Sequence, residues 1–292
     1  MPTAVLLTDP ACPALDPALV ESLRNAWGGG PAVWLAPGEA AEFPVPQAPS
    51  NAPGVWEELQ GLGVDLALVP EAGRRKRLLI ADMDSTLIRQ ECIDELAEVA
   101  GVGAHVREIT ARAMNGELDF EGALTERVAL LKGLEAGVID RVLAERITHM
   151  SGAAVLAATM RANGAHTLLV SGGFTAFAGP VAAALGFDEA QANVLEAAGG
   201  RLTGTVRPPI LGRDAKVAAL ERTAARLGIA PEDAIAVGDG ANDLGMLGRA
   251  GLGVALHAKP AVQAQAQIRV NHGDLTALLY LQGYRRSEFA PV

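Results

Sequence analysis

The 292-residue sequence predicts an α/β protein: a Rossmann-like parallel sheet with helices on both faces, a helical cap inserted after one strand, and a small N-terminal α/β unit. Three observations carry this. Apolar runs of strand length alternate with helical stretches over the second half of the chain, the pattern of parallel strands joined by helices. The run Leu78-Leu79-Ile80-Ala81 is continuously apolar, as in a strand buried on both faces. Residues 91–150 then read almost wholly as helix, with Ile93, Leu96, Ala97 and Ala100 on one face, Leu124, Val128 and Leu131 on another, and Ile139, Val142 and Leu143 on a third.

Residues 1–75 carry short strand-like runs at Ala4–Leu7, Ala32–Leu35 and Leu66–Val69, an amphipathic stretch near Pro17–Trp27 and a proline-rich loop at Pro44–Pro53. The basic tetrapeptide Arg74-Arg75-Lys76-Arg77 reads as a solvated linker into the strand at Leu78. Beyond the insert come a helix from Ser151 to Gly164, a strand at Thr167–Val170, a helix from Phe174 to Leu185, and strands at Ala234–Val237 and Val254–Leu256. Asn193–Val206, with Gly199-Gly200 at its centre, reads as a β-hairpin. The expected organisation is therefore an N-terminal unit over 1–75, a core over 76–90 and 151–292, and a cap over 91–150.

Half of the residues are apolar, which fits a globular chain and excludes disordered or collagen-like classes. A formal charge of −10, from 34 acids against 24 bases, argues against a nucleic-acid or anionic-membrane partner. The first residues reach Asp9 and Pro10 too soon for a signal peptide, and no long uninterrupted apolar run suggests a membrane span. Cys12 and Cys92 form neither a disulfide framework nor a zinc site, so a reducing, cytoplasmic setting is expected.

The acidic residues nonetheless carry chemistry. Asp82 and Asp84 sit at the carboxyl end of one predicted strand and Asp239 and Asp243 follow another, where open parallel sheets bind ligands. Gathered carboxylates repel one another without a hard cation, and Mg²⁺ favours such oxygen ligands, with water and phosphate completing its shell. Ser171-Gly172-Gly173, after the strand at Thr167–Val170, offers a hydroxyl and glycine amides to phosphate, and Lys216 offers a cation. Gly238-x-Gly240 is not a dinucleotide loop, because its third position is Asp243. The five histidines show no metal-binding spacing.

In order and spacing, Asp82-Met83-Asp84-Ser85-Thr86, Ser171-Gly172-Gly173, Lys216 and Gly238-Asp239-Gly240-Ala241-Asn242-Asp243 resemble the motif series of the haloacid dehalogenase-like phosphatases. Within the insert, Glu91-Cys92-Ile93-Asp94-Glu95, the stretch from Met114 to Phe120 and the stretch from Arg127 to Gly133 are similar to the cap of phosphoserine phosphatases. The resemblance implies a small-molecule substrate, O-phospho-L-serine, hydrolysed in the last step of serine biosynthesis, and allows a homodimer. Asp82 would be the nucleophile and Asp84 the acid and base. Asp82, the Asp84 carbonyl and Asp239, supported by Asp243, would hold Mg²⁺. Ser171, Gly172, Gly173, Lys216 and Asn242 would hold the phosphoryl group. Glu91, Met114, Phe120 and Arg127 would bind the amino-acid part. The same resemblance keeps phosphothreonine, phosphohomoserine and phosphotransfer to an alcohol open. The first 75 residues match the family poorly; a reduced amino-acid-binding module of ACT type and a plain packing module are both compatible with them.

Overall fold

The structure, a computed structural model, describes residues 1–114 and 117–292. At the N-terminal end, β1 (Pro2–Leu7), α1 (Pro17–Ala26), β2 (Val33–Ala36), β3 (Ala40–Pro44), α2 (Ala52–Gln60) and β4 (Asp65–Pro70) form a four-stranded sheet in the order β2-β3-β1-β4 with two helices. β1 is buried on both faces, and its period-two alternation divides its loyalties. Ala4 and Leu6 pack with Val20, Leu23 and Leu59 of the helices, whereas Val5 and Leu7 join the large core shared with Tyr280 and Leu278.

The sequence reading omits β3 and takes the start of α2 for loop. Ala40–Pro44 has little strand propensity of its own and becomes a strand by pairing antiparallel with β1. Pro53 sits in the first turn of α2, where a missing N–H costs nothing, so the proline marks a helix start as readily as a loop. The basic tetrapeptide is a solvated linker only in part: Arg75 and Arg77 are exposed, but the other two residues are tied down. Arg74 binds the carbonyls of Tyr280 and Leu281 and the Glu42 carboxylate, and Lys76 is buried with its ammonium on the Glu232 carbonyl.

The central sheet begins with β5 (Leu78–Ala81), wholly buried. The insert follows as α3 (Cys92–Val99), α4 (Gly103–Met114), α5 (Phe120–Ala129) and α6 (Val138–Glu145). The chain then returns through α7 (Ala153–Ala162), β6 (His166–Phe174), α8 (Thr175–Leu185), β7 (Glu189–Asn193), the hairpin β8 (Leu195–Ala198) and β9 (Arg201–Val206), and α9 (Arg213–Leu227). It closes with β10 (Ala234–Gly238), α10 (Leu244–Arg249), β11 (Leu252–Leu256), α11 (Pro260–Gln263), β12 (Ile268–Val270) and α12 (Ala277–Leu281). Six strands pair in parallel in the order β12-β11-β10-β5-β6-β7.

Two departures from the sequence reading bear on the site. β6 runs on through Ser171-Gly172-Gly173 to Phe174 after a break in register, so these residues end a strand rather than form a turn past it. β7 and β12 go unread: Glu-Ala-Gln-Ala-Asn is too polar to signal a strand, and only the exposed edge of β6 makes it one. The hairpin reaches across to the insert, where Leu202 exchanges backbone hydrogen bonds with Gly133 and Leu134.

Candidate active site

Register brings the site together. β5 pairs with β10 so that Ala81 faces Val237, and with β6 so that Ala81 faces Leu169. Asp82, Asp239 and Ser171 therefore emerge side by side, within two residues of those pairs, at the carboxyl ends of three adjacent strands. Asp243, on the turn into α10, folds back to accept the Gly240 N–H at 2.9 Å. A Cβ on Gly238 would lie 2.4 Å from the Asp243 carboxyl carbon, so only glycine allows that return. From α9, Lys216 reaches Asp82 Oδ1 and Asp243 Oδ1, each at 2.7 Å.

Asp84 accepts the Cys92 N–H at 3.0 Å through one oxygen, while the other lies 3.5 Å from Ser171 Oγ. Ser171 Oγ accepts the Gly173 N–H at 2.8 Å, and a Cβ on Gly173 would sit 2.7 Å from Asp84. Ser85 takes the left-handed conformation, φ 55°, and its hydroxyl donates to Glu91 at 2.8 Å, which fixes that carboxylate at the start of α3.

α5 supplies the facing wall. Phe120, Leu124 and Arg127 are spaced i, i+4, i+7 and all line a cavity of about 410 Å³ together with Asp82, Asp84, Glu91, Ser171 and Asp239. The Phe120 ring lies on bare backbone, since a Cβ on Gly172 would come within 2.9 Å of it. Arg127 anchors itself by donating Nε–H to the Ala123 carbonyl at 3.2 Å.

Carboxylates dominate the electrostatics. Asp82, Asp239 and Asp243 offer oxygens that all lie within 4.8 Å of one another, each residue buried. Burial first, and then the Asp243 charge, raise Asp82 well above the usual carboxylate range despite Lys216. Burial and Asp243 likewise push Asp239 up to about 6, and burial and Glu91 push Asp84 up to about 7. Burial disfavours the Lys216 ammonium, but Asp82 and Asp243 outweigh it and raise its pKa above the lysine norm. Lys216 alone thus leaves this oxygen cluster short of positive charge. An all-oxygen donor set with that deficit fits a hard divalent cation.

Of the residues singled out in the sequence, Asp82, Asp84, Glu91, Phe120, Arg127, Ser171, Gly172, Gly173, Asp239 and Asn242 line the one cavity. Lys216 and Asp243 lie beneath it, fully buried behind Asp82. The side chain of Met114 lies outside the described residues. The sequence reading misses Ile93, Leu124, Arg213 and Lys259 on the cavity wall. It also misses Asn193, whose buried amide joins the Gly172 carbonyl, at 2.8 Å, to the Leu211 N–H, at 2.6 Å. Arg213 had a signal in its position three residues before Lys216; Asn193 and Lys259 had none.

Fold and site together define the class: a parallel α/β sheet with a helical insert and a carboxylate-lined cavity at its strand ends. The chain belongs to the haloacid dehalogenase-like hydrolase family, whose sequence profile matches residues 79–248. It is 48% identical over 234 residues to a phosphoserine phosphatase of Streptomyces coelicolor, covering 79% of this chain and 57% of that one. Curated relatives from three organisms are matched over 57%, 65% and 64% of their own length, less than two thirds of each. A crystal structure of a HAD family hydrolase from Salmonella enterica serovar Typhi superposes with a TM-score of 0.86 at 30% identity, covering 96% of this chain and 97% of that one. That of a probable phosphoserine phosphatase from Vibrio cholerae gives 0.79 at 33% identity, covering 98% and 88%. Among the described residues no helix is long and apolar enough to cross a membrane.

Proposed function

We propose that the chain is a magnesium-dependent phosphomonoesterase that hydrolyses O-phospho-L-serine through an aspartyl-phosphate on Asp82. In this reading residues 76–90 and 151–292 are the catalytic core, 91–150 the cap and 1–75 a small α/β unit, and the enzyme works in the cytoplasm. The observation that carries the reading is a single cavity uniting the carboxylate cluster at the strand ends with Glu91 and Arg127 from the insert. Phosphoserine presents a phosphate dianion, an ammonium and a carboxylate, and each finds an opposite charge there.

Asp82 attacks phosphorus in line with the ester oxygen; the phosphorus–oxygen ester bond breaks, and the serine oxygen takes the proton of the Asp84 carboxyl. An Asp84 pKa pushed up to about 7 suits a group that gives a proton and takes one back. Asp84 then accepts a proton from water as that water attacks phosphorus, and the bond to Asp82 breaks to release phosphate. Ser171, the Gly172 and Gly173 backbone, Asn242 and Lys216 hold the phosphoryl oxygens. Asp82, the Asp84 carbonyl, Asp239 and Asp243 would hold Mg²⁺, which when bound neutralises phosphoryl charge. Arg127 takes the substrate carboxylate and Glu91 the ammonium, while Phe120 closes over Gly172 and excludes water.

A phosphate-release panel tests this: L-phosphoserine, D-phosphoserine, phosphothreonine and phosphohomoserine, each with and without Mg²⁺. The expected result is Mg²⁺-dependent turnover with L-phosphoserine preferred. Equal rates across the four esters would overturn the substrate assignment, and turnover in chelator would overturn the metal.

A further inference from the structure

The cavity wall carries two cations to which the proposed reaction gives no role. Besides Arg127, it includes Arg213 and Lys259. Both are exposed, and among the described residues neither forms an ion pair, whereas Arg226 of the same helix pairs with Glu189. Arg213 is the first residue of α9 and stands three residues before Lys216, so the two side chains project to one side of the helix, one turn apart. Arg213 is therefore the solvent-facing rung above a fully buried Lys216. On another part of the wall, Lys259 is tied to the site by its backbone N–H, which donates to the Asp239 carbonyl at 3.3 Å.

A dianion approaching this site meets Asp82, Asp84, Glu91 and Asp239 on the wall. Lys216 is shielded by Asp82 and Asp243, and Arg127 is half-buried among Asp94, Glu91 and Asp84. Neither projects much field into solvent. Of the cavity-lining cations among the described residues, only Arg213 and Lys259 are exposed to solvent. The positive end of α9, a 15-residue helix, adds to their side.

We infer that Arg213 and Lys259 form a cationic rim that captures the phosphate group of the substrate at the mouth of the cavity and directs it down to Lys216, Ser171 and Asp82. The inference rests on the phosphomonoesterase reading above. It assigns the rim to capture and not to the chemical step, because its charges stand at the surface while the reacting atoms lie beneath.

The test is the ionic-strength dependence of kcat/KM for O-phospho-L-serine with Mg²⁺, in wild type, in Arg213→Ala/Lys259→Ala, and in Arg222→Ala, which removes a charge from the same helix away from the cavity. At low salt the double variant should lose about tenfold in kcat/KM through KM, with kcat within about twofold. At about 0.5 M salt it should converge on wild type, giving a shallower salt slope. Arg222→Ala should keep the wild-type slope. A double variant with the wild-type slope, or one that loses kcat at unchanged KM, overturns the rim and leaves the functional reading standing. A wild type that releases no phosphate from phosphoserine removes both.

Discussion

Asp84 shows how one side chain acquires a role from its neighbours. One carboxyl oxygen is held by the backbone of α3 and the other faces Ser171, so its position depends on the junction of sheet and insert. Asp82 is held differently, by the Lys216 ammonium and by the Met83 N–H at 2.8 Å. Because an amide is a poor nucleophile toward phosphorus, Asp82→Asn should lower kcat by about 10³-fold or more with an unchanged circular dichroism spectrum. Substantial turnover in the folded variant would exclude the nucleophile role. Arg127→Ala removes the proposed carboxylate clamp. It should cost about 2 to 4 kcal/mol in kcat/KM for phosphoserine and far less for an aryl phosphate lacking a carboxylate. Equal losses on the two substrates would show that Arg127 does not read the amino-acid part.

At the scale of elements, the N-terminal sheet is fastened to the central sheet by a few charged groups. The buried Asp65 carboxylate at the start of β4 accepts the backbone N–H groups of Asn271, His272 and Gly273 at 2.8, 2.9 and 2.9 Å. Glu39, before β3, accepts the Tyr280 hydroxyl at 2.8 Å and pairs with Arg286. Asp65→Ala strands three buried donors and should destabilise the protein by about 3 kcal/mol in urea titration, with faster hydrogen exchange across 271–273. A loss below about 0.5 kcal/mol would mean that apolar burial alone secures the contact. The insert is tied on two sides. Gln90 and Thr148 share hydrogen bonds where its connecting segments meet, and the β8–β9 hairpin grips residues 133–136.

For the whole molecule, crowded carboxylates set a pH dependence. Asp84 and Asp239 have folded-state values of about 7 and about 6, above those of an unfolded chain. Between roughly pH 4 and 7 the native state therefore binds more protons than the unfolded state. Protonation stabilises the fold at low pH, and that contribution is lost as pH rises through 6 and 7. In chelator, unfolding free energy should fall from pH 5 to pH 8 by on the order of a few kcal/mol. With Mg²⁺ the carboxylates ionise against a cation, and the fall should shrink or reverse. Identical pH profiles in chelator and in Mg²⁺ would show that no metal joins the cluster.

By itself the sequence determined the fold class, the position of the helical insert and the residues that meet at the strand ends. These follow from local signals: a continuous apolar run makes a buried strand, and an acidic residue just beyond it must lie at the sheet's carboxyl edge. Only the tertiary structure decided which further residues join them. Lys259 is placed by a loop and Asn193 by an edge strand that exists only because β6 leaves its backbone groups unpaired, whereas Arg213, one helical turn before Lys216, had a local signal. Tertiary pairing likewise made strands of Ala40–Pro44 and Glu189–Asn193 and buried part of a basic tetrapeptide that reads as solvated. Such assignments depend on partners distant in the chain, whose contribution exceeds the weak propensity of any short segment.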